Sequence, residues 1–330
     1  MTDRTNFHLY EGRGEKLAAR NAELPPYARP ESLDDPAAYV ADEGLRHAVN
    51  VALALGDPLL LTGEAGCGKT QLAASIAHEF GLQRLVFNAK STSTARDLFY
   101  RYDSLRHFHD IQVRKAEGGA GSKPIDIQDY IDFEALGLAV LLSKPSAEVG
   151  HLLNEDLARV GPIRSVVLID EIDKAPRDLP NDLLNEIEGM EFTVRETGQR
   201  FAATDGYRPI VILTSNSEKN LPDAFLRRCV FYHIDFPKTE RLREIVTRRV
   251  ALSNGFTPAM LDAAIARFEE VRQMRLKKKP ATAELIAWIR VLDRLKLDVS
   301  DPGKAEAIAF TYAALVKNGE DLDAVRGNQS

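Results

Sequence analysis

The stretch "LLLTGEAGCGKTQLA", Leu59 to Ala73, runs from apolar residues through glycines into a Lys-Thr pair and an alanine-containing segment. Its leucines predict a short buried strand, and "KTQLAASIAHEFG" predicts a helix that ends at Gly81. Between strand and helix the chain places three residues with unusual backbone freedom, Gly63, Gly66 and Gly68. A glycine-rich turn in this position predicts a backbone that wraps around a bound phosphate.

The turn fits the phosphate-loop pattern G-x-x-x-x-G-K-[ST] in full. In such a loop, backbone N–H groups surround phosphate oxygens and the N-terminus of the next helix adds a positive dipole. We expect Lys69 to reach the β- and γ-phosphates of a nucleotide and the Thr70 hydroxyl to ligate magnesium. The residues expected to bind the nucleotide are Gly63, Glu64, Ala65, Gly66, Cys67, Gly68, Lys69, Thr70, Gln71 and, from a later strand, Asp170.

Cys67 lies inside this loop. If its thiol is exposed, the neighbouring lysine and the helix N-terminus are expected to lower its pKa. The alternative interpretation is that cysteine simply occupies a tolerant position. In either case we expect alkylation of the thiol to block nucleotide binding.

The run "SVVLIDEID", Ser165 to Asp173, is apolar until it ends in acids, which is typical of a central parallel strand. Asp170 is expected to hold magnesium through water. Glu171 is expected to orient and deprotonate the attacking water, the base function that hydrolysis of a phosphoanhydride needs.

Two further segments carry candidate catalytic side chains. "PIVILTSN" predicts a buried strand that ends in Asn216, interpreted as a sensor of the γ-phosphate or of water, with a strand-capping asparagine as the alternative.

"LPDAFLRRCVF" places Arg227 and Arg228 at a helix end. An arginine here could stabilise transition-state charge in a neighbouring subunit, although both could simply cap the helix. We favour Arg228 and keep Arg227 as the alternate.

Composition bounds the function classes. The chain has 330 residues, a formal net charge of -6 and two cysteines, Cys67 and Cys229. These numbers support neither a disulfide framework nor a general nucleic-acid binder, and "RLKKKP" at Arg275–Pro280 is interpreted as a solvated helix end. The N-terminus lacks the apolar region of a signal peptide, and no run is long enough for a membrane helix. We expect a cytoplasmic protein.

Alternating strand and helix patterns predict an α/β domain with a parallel sheet at residues 37–236, after an N-terminal arm or linker at 1–36. Amphipathic helical patterns alone follow, which predicts a small all-helical lid at 237–330. A helical pattern begins at Ala37. "YIDFEALGLAVLLS" and "KAEAIAFTYAALVKN" are each predicted to be one helix, and "KAEGGAGSKP" to be a loop.

The order of phosphate loop, "LIDEID", "TSN", "LRR" and helical lid resembles an AAA+ P-loop ATPase, over roughly Ala37 to Val316. "DEIDKAPRDLPNDLLNEIEGMEFTVRETG" resembles the MoxR group of that family. The resemblance implies ATP and Mg2+ as ligands and a ring, usually hexameric, with each nucleotide between two subunits. It also implies a remodeller or chaperone that often works with a partner carrying a von Willebrand factor type A domain.

The resemblance also implies roles for individual residues. Asn88, at the end of "RLVFN", would hold Glu171 inactive until a ligand arrives, unless it is an ordinary strand-end asparagine. Many members carry an arginine near the start of the third lid helix. The matching segment, "KKKPATAELIAWIR", has none at that place, and Lys279 and Arg290 are weak substitutes. This departure puts lid-driven sensing of the γ-phosphate in doubt.

Two alternatives to a protein remodeller remain open. One is an ATP-controlled switch or scaffold with slow turnover, in a stress or defence system, which the absent lid arginine favours. The other, nucleic-acid motor, is less supported because no aromatic ladder interleaves the basic residues of "HFHDIQVRKAEGGAGSKP". Those residues are His107, His109, Arg114, Lys115 and Lys123.

Overall fold

The computed structural model describes residues 35–116, 125–217 and 221–327. The chain divides into two compact units, one of Ala41–Phe236 and one that joins Pro237–Ser330 to Met1–Val40. None of the described helices is both long and apolar enough to cross a membrane.

Most of the predicted N-terminal arm lies outside the described residues, which begin at Asp35. The same holds for most of the predicted loop "KAEGGAGSKP", including Lys123, because residues 117–124 are not described.

Strands and helices are numbered here in chain order. The strands are β1 (Leu59–Gly63), β2 (Gln83–Asn88), β3 (Tyr100–Tyr102), β4 (Ile131–Phe133), β5 (Ser165–Asp170), β6 (Glu191–Thr193), β7 (Arg200–Ala202), β8 (Ile210–Thr214) and β9 (Val230–Ile234). The helices are α1 (Glu43–Leu55), α2 (Lys69–Phe80), α3 (Ser104–Ala116), α4 (Ala135–Leu142), α5 (Ser146–Val149), α6 (Glu155–Ala158), α7 (Leu179–Gly189), α8 (Asp223–Leu226), α9 (Thr239–Arg249), α10 (Pro258–Gln273), α11 (Thr282–Leu295), α12 (Ala305–Thr311) and α13 (Gly319–Gly327).

The larger unit is built on a parallel sheet with the strand order β2-β5-β8-β1-β9. The central strands are continuous apolar runs because helices pack against the sheet, so their side chains are buried on both faces. The predicted fold class, an α/β P-loop fold with flanking helices followed by a helical region, is confirmed.

Strand register decides where the polar strand ends meet. In β5, Val166 pairs with Ile210 of β8, and in β1, Leu59 pairs with Ile212 of β8. Because all three strands run parallel, their carboxyl ends lie at one edge of the sheet. That edge receives the phosphate loop, the acids after β5 and the "TSN" segment after β8.

The first helix begins later than the sequence pattern indicates. Instead of starting at Ala37, α1 starts at Glu43, since the Asp42 carboxylate accepts a hydrogen bond from the Leu45 N–H at 2.7 Å and caps the helix. Residues Pro36–Ala38 form only a short 3-10 turn.

Between β2 and β5 the chain forms a small antiparallel pair, β3 with β4, and the helix α3. The expectation of one helix through "YIDFEALGLAVLLS" is wrong at its start, because Ile131–Phe133 form a strand and the helix begins at Ala135. Gly137 allows α4 to pack closely against the backbone of Phe99, since a Cβ on Gly137 would lie 1.9 Å from the carbonyl oxygen of Phe99.

After α7 the chain forms a hairpin in which β6 pairs antiparallel with β7. Its Phe192 and Phe201 stack at 5.3 Å between ring centroids, and Phe192 also lies 4.9 Å from Phe99. The hairpin is therefore anchored to the core by its buried aromatic side chains.

The second unit contains α9 to α13. Its core is centred on Trp288, which donates a hydrogen bond from Nε1 to the Thr311 hydroxyl at 2.7 Å. The predicted single helix "KAEAIAFTYAALVKN" is wrong in its second half, because α12 ends at Thr311 and a 3-10 turn follows. Sequence reasoning missed α13, a short and mostly polar helix.

Candidate active site

The glycine-rich loop joins β1 to α2 at the carboxyl edge of the sheet. Gly68 precedes the helix with φ 98°, a left-handed conformation that favours glycine. At Gly63, with φ 143°, a Cβ would lie 2.6 Å from the carbonyl oxygen of Ile234 on β9. The loop therefore needs glycine at these two positions for conformation and for close packing.

Lys69 is buried, with 7% of its surface exposed. Its ammonium group donates hydrogen bonds to the carbonyl oxygens of Gly63 at 2.8 Å and Glu64 at 3.0 Å. A third bond, of 3.0 Å, goes to the Asn216 side-chain oxygen. All three acceptors are neutral, so the positive charge inside the loop favours an anion.

Thr70 and Asp170 meet across the gap between α2 and β5. The Thr70 hydroxyl lies 3.0 Å and 3.2 Å from the two carboxylate oxygens of Asp170. The residues come from two elements a hundred positions apart in the chain, so the sheet topology brings them together. Asp170 is also in register with Asn88 on β2.

This pair fits a magnesium ion by its donor chemistry. A hydroxyl and a carboxylate are hard oxygen ligands, and Mg2+ is usually held by one or two carboxylates together with substrate phosphates and water. Within the described residues there is no group of three or more His, Cys, Asp or Glu that could hold a metal by itself. The pair therefore suits a metal that arrives with a nucleotide.

Glu171 has a left-handed backbone, with φ 55° and ψ 49°. Its N–H donates to the Thr214 hydroxyl at 2.9 Å, and its carboxylate forms an ion pair with Lys174. The hydrogen bond to this carboxylate raises the pKa of Lys174. The carboxylate is part exposed, as a group that must meet water requires.

Asn216 is exposed just beyond the end of β8. Its side-chain oxygen accepts the bond from Lys69, and its backbone N–H donates to the Asp173 carboxylate at 3.1 Å. The structure thus joins Asn216 to the phosphate loop on one side and to the turn after β5 on the other.

Arg227 and Arg228 follow α8, and both are exposed. The Nε of Arg228 lies 3.7 Å from a carboxylate oxygen of Glu188 on α7. Among the described residues, neither arginine forms a hydrogen bond or ion pair with the phosphate loop, Asp170 or Glu171. The fold of one chain does not add these arginines to the cluster.

The remaining predicted positions differ in exposure. Glu64 and Ala65 are exposed, and Gln71 is half-buried, with its N–H donating to the Gly68 carbonyl at 3.2 Å. Asn88 is exposed at the end of β2, and its alignment with Asp170 places it beside the strand that carries the acids.

The lowered pKa expected for an exposed Cys67 thiol does not apply, because the residue is half-buried. Burial raises the pKa of the Cys67 thiol, and the charge of Lys69 offsets this only in part. The sequence showed the neighbouring lysine but not the burial.

Sequence reasoning missed three residues that bond directly to the predicted ones. They are Thr214, Asp173 and Lys174. The signal for Thr214 was present, because it is the first polar residue after the apolar run of a buried strand and lies two residues before Asn216. Lys174 and Asp173 gave no comparable signal within a charged segment.

A family model described as AAA domain (dynein-related subfamily) matches residues 58–229. Two mutants of RuvB from Thermotoga maritima are similar in structure. One is 17% identical, with 86% of this chain and 73% of that chain covered and a TM-score of 0.43. The other is 18% identical, with coverage of 88% and 74% and a TM-score of 0.45. No curated protein sequence matches the chain. Because the family match spans more than half of the 330 residues, the chain belongs to the AAA domain family, dynein-related subfamily, of AAA+ ATPases.

Proposed function

We propose that this protein is an ATPase of the MoxR type that hydrolyses Mg-ATP at the subunit interfaces of a ring and uses the energy to remodel or activate a protein partner. The observation that carries the proposal is the cluster at one sheet edge. There Lys69 bonds to Asn216, Thr70 bonds to Asp170, and Glu171 follows directly. Membership of the AAA family implies nucleotide binding in general.

Lys69 makes the binding step favourable. Its ammonium is held by neutral oxygens in a buried place, so a phosphate that replaces one of them gains a charge-assisted hydrogen bond. The N-terminus of α2, which begins at Lys69, adds a favourable dipole for the same anion.

Thr70 and Asp170 would hold the magnesium ion. When bound, Mg2+ neutralises charge on the phosphate oxygens. The Asp170 carboxylate accepts hydrogen bonds from two threonine hydroxyls, which keep it oriented toward the loop.

Glu171 is the proposed general base. Its carboxylate is part exposed and lies one residue beyond the metal-binding Asp170, so it can accept a proton from water that attacks the γ-phosphate. Asn216 supplies an amide at the same edge, which can orient that water or the phosphate. The ion pair with Lys174 has to loosen for Glu171 to act.

A ring would complete the site, because both arginines after α8 are exposed and, within the part of the chain that the structure describes, Arg228 forms its ion pair with Glu188 on α7. We propose that Arg228, or alternatively Arg227, reaches the nucleotide of the neighbouring subunit, where an arginine stabilises transition-state charge. The assignments of residues 37–236 as the nucleotide-binding domain and 237–330 as the lid belong to the same proposal. So do the hexamer, the von Willebrand factor type A partner and the cytoplasmic location.

A slow, ATP-controlled switch is the second candidate. One observation favours it: the first turn of α11 contains Thr282, Ala283 and Glu284 and no arginine. A nucleic-acid motor is less supported. His107 stacks on Tyr130, and His109 pairs with Asp110, so part of the basic character of α3 is used within the chain.

The test is Glu171→Gln, with Glu148→Gln as a matched control. Glu148 is also an exposed glutamate paired with a lysine on its own segment, but it lies on α5. We expect Glu171→Gln to keep ATP affinity and lose about 10²- to 10⁴-fold in turnover, the usual contribution of a general base. Phosphate release and binding of a fluorescent ATP analogue measure the two. Loss of ATP binding, or unchanged turnover, would count against the assigned role.

A further inference from the structure

Thr214 occupies the point where the β5–β8 ladder ends. Strand pairing runs up to Ile169 opposite Leu213. One residue later β5 gives Asp170, and then Glu171 turns into the left-handed region, with φ 55°. The backbone N–H of Glu171 therefore leaves the regular ladder and needs another acceptor.

The Thr214 hydroxyl is that acceptor. It accepts from the Glu171 N–H at 2.9 Å, and at the same time it donates to the Asp170 carboxylate. The residue is completely buried, so the hydroxyl has no water to replace either bond. One oxygen atom thus connects the carboxylate of the metal-binding acid to the backbone of the neighbouring base.

We propose that Thr214 is a positioning residue that sets Asp170 and Glu171 relative to each other, so that metal binding and base catalysis depend on one hydroxyl. The inference rests on the proposed function. A left-handed backbone at a residue other than glycine is strained, and it persists only where the surroundings hold it. The hydrogen bond from the Glu171 N–H to Thr214 is one of the contacts that hold this turn, together with the bond from the Lys174 N–H to the Glu171 carbonyl at 2.9 Å.

The substitution Thr214→Val removes the hydroxyl and keeps the β-branched shape that packs inside a strand. Thr214→Ser keeps the hydroxyl and removes only a methyl group. The matched control is Thr62→Val on β1, because Thr62 is also a buried threonine of this sheet but its hydroxyl bonds to the ring of His233 at 2.8 Å.

We expect Thr214→Val to lower kcat about 10- to 100-fold, because hydrogen-bond partners of a metal-binding carboxylate usually contribute this much. Thr214→Ser should recover most of the rate, and Thr62→Val should retain it. The affinity for ATP measured with EDTA should not change, whereas the gain in affinity on adding Mg2+ should shrink about tenfold in Thr214→Val.

The affinity measurement uses a fluorescent ATP analogue with and without Mg2+, so it does not require turnover. If the wild type binds Mg-ATP but does not hydrolyse it, the proposed function fails while the Mg2+ readout still decides the role of Thr214. If the wild type hydrolyses ATP and Thr214→Val matches it in kcat and in Mg2+ response, only the Thr214 inference is wrong. Should Thr214→Val not fold, Thr214→Ala is measured in the same way, with the same predicted and contradicting results.

Discussion

The phosphate loop and the arginine pair after α8 are proposed to act in the same reaction, but they differ in burial and in the residues that they contact. Lys69 is buried and makes three hydrogen bonds to neighbours that belong to the site. Arg227 and Arg228 are exposed, and the ion pair that Arg228 forms among the described residues is with Glu188. A single chain thus brings the groups proposed to bind phosphate and metal and to act as base into one cluster, whereas the two arginines lie exposed on its surface.

The largest effect that we predict is the fall in ATP turnover when Arg228 is removed. If it stabilises transition-state charge in the neighbour, Arg228→Ala should lower turnover about 10³-fold or more while nucleotide affinity changes little. Arg227→Ala is the matched comparison, since it removes the adjacent exposed guanidinium. Phosphate release and nucleotide binding are measured for both.

An experiment that mixes two inactive variants tests whether Arg228 acts on the active site of a neighbouring subunit. Lys69→Met subunits have a defective phosphate loop but retain Arg228. Arg228→Ala subunits lack this arginine but retain an intact phosphate loop. An equal mixture should recover about one quarter of wild-type turnover if neighbours complete each site head to tail. A mixture as inactive as its two components would show that Arg228 does not act on the nucleotide of a neighbouring subunit.

The next effect concerns the loop itself. Lys69→Met should weaken ATP binding about 100-fold, because a charge-assisted hydrogen bond to phosphate contributes roughly 3 kcal/mol. Lys90→Met, which removes an exposed lysine after β2, should bind ATP like the wild type. Titration with a fluorescent ATP analogue measures both affinities. Equal affinities in the two variants would remove Lys69 from the phosphate site.

The smallest effect concerns the thiols. Because burial raises the pKa of the Cys67 thiol, little of it is thiolate near pH 7.5, and we expect alkylation by iodoacetamide to be slower than for a free cysteine. Burial raises the pKa of Cys229 to about 12, so this thiol should react more slowly still. Raising the pH toward 9 should speed the reaction of Cys67 first, as followed by peptide mass spectrometry.

Modification of Cys67 should block nucleotide binding, since its sulfur lies within the loop, where a Cβ on Gly63 would be only 3.1 Å away. The variant Cys67→Ser removes the target and serves as the control. Full ATP binding by completely alkylated protein would show that the loop has room for the adduct.

Features with a local cause were predictable from sequence. The apolar runs of β1, β5 and β8 indicated central parallel strands, and the acids and amide after those runs then had to meet at one edge. Gly81 ended α2 as expected, because a left-handed residue closes the helix there.

Features that depend on long-range packing could not be predicted from the sequence. The raised pKa of Cys67 comes from burial beneath its neighbours, and the hydrogen bonds of Thr214 depend on strands that meet only in the folded chain. The strand β4 was predicted as part of a helix because "YIDF" is too short for its pattern to be separated from the helix that follows.

The most direct test of shared active sites is turnover per subunit as a function of protein concentration, with molecular mass measured at each concentration by light scattering. The account predicts that the rate per subunit is low for dilute monomer, rises with the oligomer fraction, and then saturates. A monomer as active per subunit as the assembled protein would contradict it. So would an assembled, ATP-bound ring that releases no phosphate, which would instead support the switch.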